Sequence, residues 1–144
     1  MPAQPALPAR YAWVDAYMLA KPLAIKEYKV AWEAVLYRVC GKIFGLLCQD
    51  NAGRLILNLK CDPYLCLYYR AEYPHVAPGW HMNKLHWNSL YLAGDTPDVA
   101  FKEMLDISYR LVCAGLPKKT RERIAREMPE CIQRENSACV PLEK

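Results

Sequence analysis

The sequence predicts an α+β fold, a two-layer sandwich in which an antiparallel β-sheet is covered by helices. Three observations carry this expectation. Residues 35–60 are rich in β-forming side chains and are cut by Gly41 and by the turn-forming run Asp50-Asn51-Ala52-Gly53, which reads as three consecutive strands. Residues 97–114 set apolar side chains on one helical stripe. The order is helix, three strands, helix, two strands, helices, and such blocks favour an antiparallel sheet with helices on one face.

Taken in chain order, residues 1–9 hold three Pro and no charge and read as a loose tail. A first helix is expected over residues 12–20, closed by Pro22. Residues 23–34 fit either a helix or a crossing loop. Strands at 35–40 and 42–48 flank Gly41, which should take the positive φ of a tight hairpin. Residues 54–60 alternate, with Leu55, Leu57 and Leu59 on one side and Arg54, Ile56, Asn58 and Lys60 on the other, the pattern of a half-buried strand. Asp62-Pro63 supplies an N-cap and a first-turn proline for a helix to about residue 73. Short strands are expected at 80–84 and 87–92. Thr96-Pro97 should cap the longest helix, whose stripe is Phe101, Met104, Leu105, Ser108, Leu111 and Val112, and Gly115 and Pro117 should end it. A basic helix over 118–128 follows, limited by Pro129. The expected organisation is a flexible tail at 1–10, one domain at 11–128 and a C-terminal tail at 129–144.

The bulk composition narrows the classes. With 144 residues, 53% hydrophobic and 24% charged, the chain suits one globular domain with one core. Ten Tyr against two Phe put many polar-tipped rings at the core margin or on a binding face. A net charge of +4 is compatible with nucleic acid without demanding it. No apolar run approaches the roughly 20 residues of a membrane-spanning helix, so no membrane partner is expected. The N-terminus lacks the basic and apolar regions of a secretory signal, and the seven Cys are odd in number, which together suggest reduced thiols in a cytoplasm.

Residues 79–91, Gly-Trp-His-Met-Asn-Lys-Leu-His-Trp-Asn-Ser-Leu-Tyr, are the densest cluster of recognition chemistry. On a functional reading, Lys84 neutralises a phosphate, Asn83 with His81 or His86 donates hydrogen bonds, and Trp80 or Trp87 stacks. On a structural one, Trp87 and Tyr91 fill the core while Asn83 and His86 tie a sharp loop to the backbone. A second candidate is the basic run at 118–126, with Lys118, Lys119, Arg121, Arg123 and Arg126 against one acidic residue, Glu122. Lys118 and Lys119 stand at a helix start, the unfavourable end for cations unless an anion joins them. The alternative is a solvated face whose charges pair locally with Glu122 and Glu127.

Other chemistries find less support. Cys61 and Cys66 are spaced Cys-x4-Cys and His81 and His86 His-x4-His, unlike the short paired spacings of structural zinc sites, so no metal and no cofactor are expected. Cys61 at a helix start, with His86, is the one arrangement that suggests a nucleophile. There is no glycine-rich phosphate loop, nucleophile elbow or nucleotide fingerprint, and binding is expected rather than catalysis.

Several ordered runs carry a family resemblance. Asn58-Leu59-Lys60-Cys61-Asp62-Pro63, the stretch from Pro78 to Asn88, Ser108-Tyr109 with Leu111-Val112, Leu116-Pro117-Lys118-Lys119 and the hairpin around Gly41-Lys42-Ile43-Phe44 resemble the MmcQ/YjbR family over residues 14–121. The resemblance implies a small α+β domain, YjbR-like and similar to both CyaY and secretion chaperones, and a DNA-binding role with a double-wing arrangement. The chain departs from the family pattern at Leu85, Ala93 and Cys40, and residues 21–32 lack the usual Pro-Gly and acidic-aromatic pattern. The expected site residues for nucleic acid are His81, Asn83, Lys84, His86, Lys118, Lys119 and Arg121. The competing expectations are a protein-interaction module that resembles a secretion chaperone, and a small-ligand binder or enzyme around Asn83, His86 and Cys61. The oligomeric state is left open.

Overall fold

A computed structural model describes residues 4–127. Residues 128–144, where the sequence places a C-terminal tail and the end of the basic helix, lie outside the described residues. The fold is α+β as expected. A six-stranded antiparallel sheet has the order β1-β2-β3-β4-β6-β5, with β1 Ala24–Lys29, β2 Ala34–Val39, β3 Lys42–Gln49, β4 Leu55–Lys60, β5 Val76–Pro78 and β6 Trp87–Tyr91. The helices are α1 Trp13–Leu19, α2 Pro63–Glu72, α3 Asp98–Ala114 and α4 Lys118–Glu127. Single 3-10 turns precede α1 and link β1 to β2.

The ambiguous stretch at 23–34 resolves as a strand and a turn. Ala24–Lys29 pairs along its whole length with β2, from Ala24 opposite Val39 to Lys29 opposite Ala34. Three of its side chains are exposed, so burial periodicity left no signal there, and the neighbouring strand decided the conformation.

The β2–β3 hairpin turns on two residues, Cys40 and Gly41, both at positive φ (49° and 83°). That is the turn whose twist matches the flanking strands. The pairing then shifts by one residue at Tyr37/Arg38. This bulge sets Phe44 and Gly45 on the same side, and a Cβ on Gly45 would meet the Met18 sulfur at 3.1 Å. Glycine lets α1 lie close against the sheet there.

One face of the sheet packs against all four helices. Tyr11, Val14, Met18, Tyr37, Phe44, Leu57, Leu59, Phe101, Leu105 and Ile124 belong to one continuous buried cluster. Asp62 caps α2, its carboxylate accepting from the Tyr64 and Leu65 amides, with Pro63 in the first turn. Ser108 of α3 ties helix to sheet, its hydroxyl donating to the Phe44 carbonyl and accepting from the Lys60 amide at 2.9 Å.

Three sequence expectations are corrected. β4 is buried on both sides rather than half-buried. Ile56 joins a second cluster on the outer face with Ala34, Leu36, Leu46 and Cys48, and Trp80 packs against it. Asn58 is also buried there, donating to the Leu46 carbonyl and accepting from the Ser89 hydroxyl. Residues 80–84 are not a strand. The short strand lies earlier, at Val76–Pro78, and the chain after it bends away because Gly79 touches Trp87 and His81 takes a left-handed φ of 56°. Thr96 does not cap α3 through its side chain. Its carbonyl accepts from the Tyr11 hydroxyl at 2.9 Å, its own hydroxyl is buried with no hydrogen-bond partner among the described residues, and Asp98 supplies the negative charge of the first turn.

Candidate functional site

The segment from Gly79 to His86 is a compact loop between β5 and β6. It closes through the backbone: the Gly79 amide donates to the Trp87 carbonyl at 2.9 Å, and the His86 amide to the Asn83 carbonyl at 3.2 Å. Only glycine fits at 79, since a Cβ would stand 2.8 Å from the Trp87 Cβ. The Asn83 side chain accepts from the Leu85 amide at 2.9 Å, a local turn of the kind Asn favours. Lys84 folds its ammonium back to the Gly79 carbonyl at 3.2 Å. The Trp80 amide donates to the Ser89 hydroxyl at 2.9 Å, which ties the loop to the buried Asn58–Ser89 pair.

Arg70 of α2 holds the other side of this loop. Its guanidinium donates to the Asn88 side chain at 2.6 Å, to the Trp87 carbonyl at 3.2 Å and to the Lys84 carbonyl. Asn88 in turn donates to the Cys66 carbonyl at 3.2 Å. One planar fork thus reaches three acceptors, of which the Trp87 carbonyl is shared with the Gly79 amide. Sequence reasoning missed Arg70. A lone arginine on the half-buried side of a helix carries no local mark of three long-range partners.

The expected site residues therefore fall in two groups. His81, Asn83, Lys84 and His86 sit together on the loop, with His81, Asn83 and Lys84 exposed and His86 half-buried. Lys118, Lys119 and Arg121 sit on α4, all exposed, with Arg123 and Arg126. Ile124 is the buried contact of α4 and anchors it to the helix-covered face. None of these five cations forms an ion pair within the described residues. Local pairing with Glu122 or Glu127 is thus not what α4 does with its charge.

Cys61 and His86 meet through the backbone, the Cys61 amide donating to the His86 carbonyl at 2.8 Å. The Cys61 thiol is pushed up by its contact with the Cys66 thiol and then by burial, which disfavours the thiolate a nucleophile needs. The cysteines at 40, 48, 61 and 66 are free thiols, and among the described residues no three His, Cys, Asp or Glu side chains group to hold a metal. No helix among the described residues is long and apolar enough to cross a membrane.

Comparison with known proteins adds relatives of the same fold. A family model described as YjbR matches residues 19–111. The chain is 35% identical over 89 residues to the uncharacterised protein YbdF of Escherichia coli O157:H7, covering 62% of this chain and 72% of that one. It is 30% identical over 110 residues to the uncharacterised protein YjbR of Escherichia coli (strain K12), covering 76% and 92%. Among solved structures, the Deinococcus radiodurans protein DR2400, with family-model domain DUF419, superposes with a TM-score of 0.67 at 27% identity over 81% of this chain and 87% of that one.

Proposed function

This chain belongs to the YjbR family, and we propose that it is a cytoplasmic DNA-binding protein that grips the phosphate backbone mainly through α4. The observation that carries the reading is the set of Lys118, Lys119, Arg121, Arg123 and Arg126, exposed and without an ion pair among the described residues, on a helix anchored by Ile124. Two of these cations stand in the first turn, where the helix dipole opposes them, and a phosphate there removes the conflict. The loop residues His81, Asn83, Lys84 and His86 act as a second, weaker contact, because the Asn83 side chain and the Lys84 ammonium are already engaged inside the loop. Binding is electrostatic, with little sequence preference.

The test is fluorescence anisotropy with a labelled duplex and the matching single strand across a salt series. Neutralising about three to five phosphates predicts a log–log salt slope of about −3 to −4.5 on duplex DNA. The Lys118→Ala/Lys119→Ala variant should lose about two units of that slope. No binding at low salt removes the reading, since a basic surface binds best there.

A second reading rests on a different surface. Helix α2 exposes Tyr64, Leu67 and Tyr68 at 80%, 62% and 49%, spaced i, i+3, i+4 on one side. Such a stripe suits a protein partner, on a helix rather than on the sheet face. Failure of the DNA test together with a Leu67→Glu-sensitive protein complex would favour this reading.

A further inference from the structure

The outer face of the sheet holds a cleft of about 410 Å³ that shares only His81 with the DNA reading. Its floor is Ala34, Leu46 and Cys48, adjacent side chains of β2 and β3. Its walls are two tryptophans from distant parts of the chain, Trp32 after β1 and Trp80 after β5. Glu33, Gln49 and His81 add the polar groups. The size lies within the range of small-molecule sites, and an apolar floor with a few polar groups is their usual make-up. The cleft and α4 lie on opposite sides of the sheet, since α4 packs into the helix-covered cluster and the floor belongs to the outer one.

Three details separate this cleft from a packing defect. Trp32 is 51% exposed, although an indole this large is mostly buried where the chain can bury it. Glu33 and His81, which flank the two tryptophans, both hold left-handed backbone, at φ 50° and 56°. Non-glycine residues there cost on the order of 1 kcal/mol or more, and such strain gathers where a ligand is clamped. Glu33, finally, is exposed at the cleft, and its carboxylate forms no hydrogen bond or ion pair among the described residues.

We infer that this cleft binds a small, neutral, planar nitrogen heterocycle with an N–H edge, of the aminopurine or pterin kind, stacked on Trp32 or Trp80 with Glu33 accepting from its N–H groups. A neutral ring is favoured over a cationic one because the Lys29 ammonium lies 4.0 Å from the Trp32 ring centroid and already supplies positive charge there. A carboxylate accepts an N–H bond from an exocyclic amino group, which suits an amino-substituted ring. The site binds without covalent chemistry. Burial pushes the Cys48 thiol up to about 11, so it stays protonated at neutral pH.

The probe is 2-aminopurine, whose fluorescence is quenched by stacking, with unsubstituted purine as the ring lacking the amino group. The full chain should quench it saturably. Trp32→Ala should weaken binding about tenfold, in keeping with the worth of one base stacked on an aromatic side chain. Glu33→Gln should weaken 2-aminopurine several-fold and leave purine unchanged. Both positions are exposed, so both variants should keep the fold. The Lys118→Ala/Lys119→Ala variant should bind the probe as the parent does, which separates this site from α4. Four results would overturn the assignment: no quenching at millimolar probe, insensitivity to both cleft substitutions, displacement of the probe by an unlabelled single strand, or a dimer in sedimentation with the probe excluded.

Discussion

The two faces of the sheet are finished in different ways. The helix-covered face is closed by a continuous cluster in which Tyr11, Tyr37, Phe44, Phe101 and Leu105 are fully buried. Its tyrosine hydroxyls are tied individually: Tyr11 to the Thr96 carbonyl, Tyr17 to Asp106, Tyr37 to Asp15, Tyr69 to Glu103 and Tyr109 to the Pro22 carbonyl. The outer face has a small cluster under one irregular loop and keeps a cleft. A helix presents an apolar stripe that repeats every turn and can cover a sheet along its length. A loop covers only where single side chains such as Trp80 reach, and the space between them remains for a ligand. The continuous packing is thus concentrated on one face and the open cleft on the other.

The largest expected effect sets the faces directly against each other. Phe101 packs against Tyr11 and Trp13, with ring centroids 4.9 and 5.6 Å away. Phe101→Ala should cost about 3–5 kcal/mol in urea unfolding, and Leu46→Ala on the outer face less than half of that, because Leu46 borders space that already exists. Equal costs would break the comparison.

Next comes Arg70. Arg70→Met removes three hydrogen bonds to the Lys84–Asn88 stretch and should cost about 2–3 kcal/mol. Amide exchange should rise over residues 79–86 and stay unchanged in α3. A uniform rise across both regions would mean that the loop is not a separate unit.

The smallest effect is a pH dependence of the helix-covered face. Burial and then the hydrogen bond to Asp106 push the Tyr17 hydroxyl up to about 12. Its contribution should be complete below the ordinary tyrosine value near 10 and disappear as pH rises through 12. Asp15 behaves in the opposite sense. Burial would raise its carboxyl, but the Tyr37 hydroxyl and Lys26 outweigh burial and hold it below the usual carboxylate range. Its contribution is present above that range and is lost as pH falls below it, through the lowered value of the folded state. Tyr17→Phe should cost about 1 kcal/mol at neutral pH and flatten the alkaline limb of the stability curve, measured by urea midpoints at successive pH values.

Much of the framework could be read from short stretches. Asp62-Pro63 caps its helix in the way its chemistry suggests, Gly41 takes the positive φ of its hairpin, and the α3 stripe at Phe101, Met104, Leu105, Ser108 and Val112 is buried. The candidate site was legible as two clusters of residue types, the loop and the basic helix. Its internal bonding was not. That Lys84 folds back on Gly79, and that Arg70 rather than any loop residue holds the loop, depends on groups 5 and 14–18 positions apart meeting in space.

Features set by one or two residues and their own backbone were available from the chain alone: caps, tight turns, helical stripes and the charge of α4. Their physics is local, a matter of allowed φ and ψ and of hydrogen bonds a few residues away. Features that depend on a distant partner were not. Ala24–Lys29 became a strand because β2 offered a row of free backbone groups. Asn58 went into the interior because Ser89 and the Leu46 carbonyl were there to satisfy it. Trp32 and Trp80 came to line one cleft through the closing of the whole sheet. Each is a choice among several acceptable local conformations, and the long-range partner supplied the free energy that selected one.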